Sequence, residues 1–348
     1  MAPKISRRQF LETAAAAGTL GFPYVSRAAE PVLRITGWGG KWGEMVRAHV
    51  YPEFEKEFKC KIETDTAFPF VPKLLSGSKS KPVYDLLHAN SNEQWIAATA
   101  GFVEEKIDPK HVPNAKDVYA YAVSDKIVGV SIFTSAIGLG YRNDKITTAP
   151  SSWKDLWDAK YANVRASYIV PQNSLGSCLL MMAGQIYGKG LQDMDAAFKA
   201  MEQLKPIKLV DFTGTMEKAL LAGEVLIGVI HDSGIWRHLA AKAPLHWVAP
   251  KEGVMALEQV YAVTKGTDKK ELAYGFVNHM LSPKVQKLMS EELWYSPSSK
   301  KVTLSPDHQS RLFATEEKVK QLIQADWKWF NANQEAISMR FNKTFQRA

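Results

Sequence analysis

The sequence predicts an α/β chain of two lobes, each a mostly parallel sheet flanked by helices. Three observations lead there. The chain has 348 residues, 46% of them hydrophobic, enough to bury one or two substantial cores, and two lobes are the natural division. Short β-prone runs alternate with helix-period segments along most of its length. Between two such series lies Ile132–Tyr141, an apolar β-prone run with small residues at Ser135, Ala136, Gly138 and Gly140. That composition suits a buried strand closely approached by another backbone or a ligand.

The N-terminal stretch reads as an export signal. Ser6-Arg7-Arg8-Gln9-Phe10-Leu11 carries paired arginines, followed by the weakly apolar, Ala- and Gly-rich Thr13–Phe22 and small residues around Ala28 and Ala29. This is the pattern of a twin-arginine signal cleaved near Ala28 or Ala29, and it predicts a periplasmic protein. Glu12 stands where such signals often carry Lys. No other stretch offers 18 uninterrupted apolar residues, so no transmembrane anchor is expected. Of the net charge of +8, four basic residues against Glu12 place +3 in the leader and leave +5 beyond it. Without a run of five like charges, this does not argue for nucleic acid. Cys60 and Cys178 are expected to be two buried thiols on different lobes.

Leu33–Thr36 reads as the first strand. The loop Gly37–Gly43 follows, then an amphipathic helix over Glu44–Phe58. The loop lacks the Ser/Thr after Lys41 that a P-loop needs, and its glycines miss the dinucleotide spacing. Further strands are expected at Cys60–Thr66, Tyr84–Ala89 and Val123–Val130. A capping box at Ser91-Asn92-Glu93-Gln94 opens a helix ending at Gly101. Beyond the central run, Ser152 with Asp155 gives another helix start. Strands at Val164–Val170, Lys208–Val210 and Val225–Ile230 alternate with helices at Leu175–Tyr187, Met194–Leu204, Thr213–Ala222 and Ile235–Lys242. Leu245–Val248 and Glu258–Val263 lead back towards the first lobe. Helices follow at Glu271–Leu281, from Ser282-Pro283 to about Glu291, and over Glu316–Phe345. In parallel α/β sheets ligands collect at the carboxyl ends of strands, which singles out Gln172, Asn173 and Ser174 and the turn His231-Asp232-Ser233.

Several of these segments carry a resemblance. "AIGLGYRN" followed by "PSSWKDLWDAKY", the Tyr84-Asp85-Leu86 strand, Pro250-Lys251-Glu252-Gly253 and Trp294-Tyr295-Ser296-Pro297 occur in an order and spacing similar to the type II periplasmic solute-binding proteins, close to their spermidine/putrescine-binding group. The resemblance covers nearly the whole chain after the leader. It implies a discontinuous first lobe, residues 30–139 with 259–348, and a second lobe, residues 140–258. It also implies hinge crossovers near Leu139–Arg142 and Met255–Tyr261, and a small solute held between the lobes. The implied partners are that solute, an inner-membrane ABC permease and the twin-arginine translocase, with the protein acting as a monomer.

Catalytic signatures are missing: there is no H-E-x-x-H, C-x-x-C or G-x-S-x-G. No metal or cofactor is expected, and the protein reads as a binding protein, not an enzyme. A binding cleft needs apolar walls with a few convergent polar groups. Trp38 and Trp42 are the stacking candidates, matching the family's loop aromatics. Asn92, Ser135, Gln172, Asn173 and Ser174 are neutral hydrogen-bonding candidates, and Asp232 is one for balancing an ammonium. Tyr295 matches the family's cleft tyrosine. Against the polyamine subgroup, His231 and Asp232 replace Trp-Asn, and the return crossover offers Leu257 with Glu258 or Gln259 in place of Trp and Asp. A polyamine would leave positive charge unpaired in a closed cleft at a cost of several kcal/mol. The expected solute is therefore an amine, a zwitterion or a carboxylate, not spermidine. The competing readings are a twin-arginine-exported enzyme and a chemoreceptor-coupled sensor of the same fold.

Overall fold

The computed structural model describes residues 30–345; the twin-arginine leader and the cleavage positions at Ala28 and Ala29 lie outside the described residues. Its strands are β1 (Val32–Thr36), β2 (Lys61–Asp65), β3 (Leu86–Asn90), β4 (Val130–Arg142), β5 (Arg165–Tyr168), β6 (Lys208–Val210), β7 (Ile227–His231), β8 (Leu245–Val248), β9 (Val254–Val263), β10 (Ser296–Pro297) and β11 (Leu322–Ile323). They join one mixed sheet in the order β2-β1-β3-β9-β4-β7-β5-β6, with β8 and β10 paired to β4 and β11 to β9. On one side β1 runs parallel to β2 and β3. On the other, β5 runs parallel to β6 and β7. The expected mostly parallel sheets are therefore present. They are joined through two antiparallel strands, β4 and β9.

Small residues let β4 hold this position. Its first half pairs with β9; from Ile137 onward it pairs with β7 on one edge and β8 on the other. A Cβ on Gly138 would stand 2.7 Å from both the Trp247 ring and the Val248 carbonyl. One on Gly140 would stand 2.4 Å from Ile230. Every residue of β4 from Val130 to Tyr141 is buried.

The helices that matter here are α1 (Tyr51–Phe58), α2 (Phe70–Leu75), α3 (Ser91–Thr99), α4 (Ser174–Tyr187), α5 (Met194–Gln203), α6 (Thr213–Ala222), α7 (Asp232–Ala240), α8 (Lys270–Met280), α9 (Pro283–Leu293), α10 (Trp327–Ala332) and α11 (Gln334–Phe345). One core packs β1, α1, α8 and α9 around Phe54, Phe133, Tyr261 and Phe276. A second packs β5 and β7 against α4, α5 and α6, and extends to Trp327 and Phe341. Cys60 is buried in the first core and Cys178 in the second.

Three expectations are corrected. The capping box of α3 lies one residue earlier, with Asn90 as the cap and Glu93 answering it. No strand covers Val123–Val130; Ala120–Val123 is a 3-10 turn, and the strand starts only after Gly129. Gly129 has φ +81°, and a Cβ there would lie 2.1 Å from the Tyr261 carbonyl, so the chain turns sharply before it can pair. The C-terminal stretch is not one helix. Thr315 caps a single turn at Glu316–Val319, Leu322–Ile323 pairs with Val254 and Met255 of β9, and Asp326 caps α10. Its apolar spacing satisfies a helix, but capping side chains and an open edge of β9 divide it.

Gln286 shows how the first side is tied to the crossover. It is fully buried; its amide donates to the Ile132 and Met280 carbonyls at 2.8 and 2.9 Å and accepts from the Ser298 and Ser299 amides at 2.8 and 3.2 Å. Replacing it with Met keeps the volume and removes a partner from four backbone groups, of which the Ser298 amide and the Ile132 carbonyl keep their mutual bond at 3.4 Å. Denaturant unfolding of Gln286→Met should show a loss on the order of 3 kcal/mol.

Candidate ligand-binding site

The carboxyl ends of β1, β3 and β7 and the β4–β9 pair bring one group of side chains together. Trp38 follows β1, and its ring lies 5.5 Å from His88 and 5.7 Å from Phe70. Trp42 is only 4% exposed and packs 5.0 Å from His88, 5.9 Å from Phe133 and 5.7 Å from Tyr295. His88 stacks on Tyr261 at 4.5 Å; burial pushes its pKa down to about 3, so the ring is neutral. Gln259 and Phe133 are partners across the β4–β9 pair, and the Tyr295 hydroxyl lies within reach of Gln259 and Arg237.

The end of β7 supplies the opposite wall. His231 caps α7, its Nδ1 accepting from the Gly234 amide at 3.1 Å and lying 2.9 Å from the Ser233 hydroxyl. Ser233 in turn lies 3.0 Å from the Ser135 hydroxyl on β4. Asp232 is fully buried. Its Oδ1 accepts from the Ala136 and Ser233 amides at 3.0 and 2.7 Å, while Oδ2 has no partner among the described residues. Burial raises its pKa to about 7, and the unpartnered oxygen is where a proton would sit.

The remaining sequence-predicted residues stand apart. Asn173 caps α4 through Leu175 and reaches the Asp211 carbonyl at 3.2 Å, with Ser174 beside it and Gln172 exposed. The Asn92 carbonyl accepts from Asn331, and its Oδ1 is buried without a partner. Glu258 alternates with Gln259 along β9 and so points to the opposite face. There its carboxylate accepts from Ser91 and Gln324, each at 3.0 Å.

Two charged residues of this site escaped the sequence reading. Arg237 lies five residues into α7, and its Nη2 stands 3.5 Å from Glu217 on α6. Glu217 places its other oxygen 3.2 Å from His238. Burial works against the Glu217 carboxylate, but His238, His231 and Arg237 together hold its pKa below the usual value. Nothing in the sequence places α6 against α7. The indirect signal is Gly234, where a Cβ would stand 2.6 Å from the Glu217 carboxylate.

These side chains make a receptor more readily than a catalyst. Aromatic walls surround neutral hydrogen-bonding groups, and the Ser135–Ser233–His231 chain ends in a backbone cap instead of a free base. Among the described residues no cluster of three or more His, Cys, Asp or Glu could hold a metal, and no helix is long and apolar enough to cross a membrane.

Comparison with known proteins assigns the class. Residues 50–315 match the bacterial extracellular solute-binding protein family, and the chain belongs to it. It is 25% identical over 292 residues to the gamma-aminobutyric acid-binding protein of Pseudomonas aeruginosa, covering 81% of each chain. Against the spermidine/putrescine-binding periplasmic protein of Salmonella typhimurium it is 25% identical over 269 residues, covering 73% of this chain and 75% of the other. A crystal structure of a candidate extracellular solute-binding protein from Bordetella parapertussis superposes with a TM-score of 0.79 at 28% identity, covering 91% of this chain and 99% of that one. The protein is thus a solute-binding component of an ABC transporter with the periplasmic-binding-protein fold. The relatives are transport proteins, and they point to the periplasm.

His231 gives this site a pH dependence of defined sign. Burial, reinforced by Arg237, lowers its pKa to about 4 while Glu217 opposes. The unfolded chain takes up that proton near the ordinary value of 6.5, so stability falls as pH drops from 6.5 towards 4. Asp232, raised to about 7, acts in the opposite direction over much of the same window. His231→Asn keeps a capping acceptor and removes only the first contribution. Its unfolding free energy should fall by about 2 kcal/mol less than that of the wild type between pH 7 and pH 4.5, as read by denaturant titrations at both values.

Proposed function

We propose that this receptor captures a small solute with one anionic group, a zwitterionic amino acid or a carboxylate, and that Arg237 with Tyr295 receives the anion. The carrying observation is the Arg237 guanidinium, whose one ion pair among the described residues is at 3.5 Å, to Glu217, and which reaches the Tyr295 hydroxyl. A guanidinium has five N–H donors in a planar fork suited to a carboxylate or phosphonate. The surroundings suit a single anion. The nearby histidines His88 and His231 are neutral, Glu217 is engaged by His238, and Asp232 is turned to backbone amides. An ammonium at the other end would find the half-buried Trp38, with Trp42 packed behind His88. A polyamine would find two carboxylates, Glu217, engaged by His238, and Asp232, whose pKa burial raises to about 7. The gamma-aminobutyric acid-binding relative supports this reading, since its named ligand carries one anion and one ammonium.

Closure about the β4–β9 pair, with residues 30–139 and 259–348 forming one lobe and 140–258 the other, is the step the solute must favour. The closed form would then be read by an inner-membrane permease. The leader implies export by the twin-arginine translocase and cleavage near Ala28 or Ala29. No cofactor is required, and the mature protein acts as a monomer in the periplasm.

A thermal-shift screen of the chain from Glu30 onward against amino acids, amines, carboxylates, phosphonates and spermidine tests this. A ligand at a hundred times its dissociation constant should add about 2.7 kcal/mol. The hit should carry an anionic group, and Arg237→Gln should weaken it by about a hundredfold, close to the loss of one charged pair. A strong spermidine hit that survives Arg237→Gln would overturn the assignment.

A further inference from the structure

A crevice of about 400 Å³ lies away from the site described above, lined in part by Lys126, Gln185, Lys189, Gln192, Asp326 and Trp329. It opens between two parts of the chain. Gln185 belongs to α4, and Lys189 and Gln192 to the turn after it; Lys126 precedes β4; Asp326 caps α10, which carries Trp329. The Gln192 amide bridges the divide to Asp326 at 3.3 Å.

The lining has a definite chemistry. Neither Lys126 nor Lys189 has a carboxylate within 4 Å among the described residues, although 18 such ion pairs occur elsewhere. The Asp326 carboxylate is committed, one oxygen accepting from the Trp329 amide at 2.9 Å and the other from Gln192. Two ammonium groups without a direct ion pair among the described residues therefore face a cavity whose one lining carboxylate is Asp326, and which also offers two side-chain amides, the Trp329 indole and the apolar Met181.

The crevice is also wired to the crossover. Lys126 Nζ donates to the Gln324 carbonyl at 2.9 Å. The Gln324 side chain donates to Glu258 at 3.0 Å, and Glu258 lies buried in β9 opposite Thr134 of β4. One residue thus separates the crevice lining from the strands that join the two sides of the sheet.

We propose that this crevice is a second small-molecule site, taking a monoanion with a flat apolar body, such as an aromatic monocarboxylate, and that its occupancy is transmitted through Gln324 and Glu258 to β9. The anion sits between Lys126 and Lys189, and the apolar body lies on Trp329. Because the walls come from both sides of the β4–β9 pair, a molecule held there biases how the two sides move. The inference stands on this geometry and does not need the reading of Arg237.

Titration of the mature protein with phenylacetate, followed by ¹H–¹⁵N correlation spectra, tests it. The Trp329 indole resonance, assigned with Trp329→Phe, should shift saturably. Phenethylamine, the cationic counterpart, should leave it unmoved. Lys189→Met, at an exposed position, should weaken the binding about tenfold, and Lys126→Arg should retain it. The backbone amides of Leu257–Gln259 should move with the same midpoint in the wild type and stop moving in Gln324→Ala. No saturable shift up to about 50 mM, a range that covers even weak affinities, would overturn the site. So would equal shifts with phenethylamine or an unchanged response in Lys189→Met. Movement of Trp329 without movement of β9 would overturn the coupling.

Discussion

The antiparallel pairing of β4 with β9 is the constraint on which the rest of the molecule depends. These two strands carry the chain between the parallel sets β2-β1-β3 and β7-β5-β6, in a register that shifts once: Val130 against Tyr261 and Ser131 against Val260, then Phe133 against Gln259 through Ile137 against Met255. Side chains alternate across the sheet, so that register also decides what faces each side. Phe133 and Gln259 point towards Trp42 and Tyr295, whereas Glu258 points towards Ser91 and Gln324. A slip by one residue would exchange Gln259 for Glu258 and bring a buried carboxylate among the aromatic walls. Burial holds the Glu258 pKa above its ordinary value even with Gln324 and Ser91 bonded to it. Without those partners it would be costlier still.

Charge is sparingly used on the side that faces Tyr295. Arg237 and Glu217 are the pair that matters there, and the pair is loose at 3.5 Å. Burial keeps His88 and His231 neutral, so they shape the site without adding to its charge. On the proposed reading, such an arrangement favours an arriving anion through the Arg237 guanidinium. It disfavours a multiply charged cation, because of the two carboxylates there Glu217 is engaged by His238 and burial raises the Asp232 pKa to about 7. Similarity to both an amino-acid binder and a polyamine binder fits a scaffold on which charge placement, not fold, sets the ligand class.

Much of the fold could be read from the sequence because its signals are local. The apolar run with Gly138 and Gly140 marked the crossover strand, Gly223 marked a helix end with φ +76°, and Ser282-Pro283 marked a helix start. The failures share a cause: a distant partner overrides a local pattern. Leu322 and Ile323 fit a helical stripe, but an open edge of β9 takes them as a strand. Gly129 sits in an apolar run that reads as a strand, but the Tyr261 carbonyl fills the space where a side chain would go. The site followed the same division. The family resemblance pointed to Trp38 and Trp42, and the rule that ligands gather at strand ends singled out Gln172–Ser174 and His231–Ser233. It could not reach Arg237 and Glu217, because their meeting depends on how α6 packs on α7.

That division has a physical reason. A polar residue directly after a parallel strand stands at the start of a helix, where backbone amides lack partners. His231, Asp232 and Asn173 each give an acceptor atom to such amides, those of Gly234, Ser233 and Leu175, and the same Asp232 oxygen also accepts from Ala136 in β4. An acceptor already engaged is a poor ligand contact but a good fixed floor. Recognition then passes to side chains one turn farther on, or across the crossover, whose donors remain available. On the proposed reading these are Arg237, Tyr295 and Gln259, groups that the caps hold in place. On that reading a motif at a strand end points to the neighbourhood of the site, while the groups that choose the solute are set by packing one turn deeper.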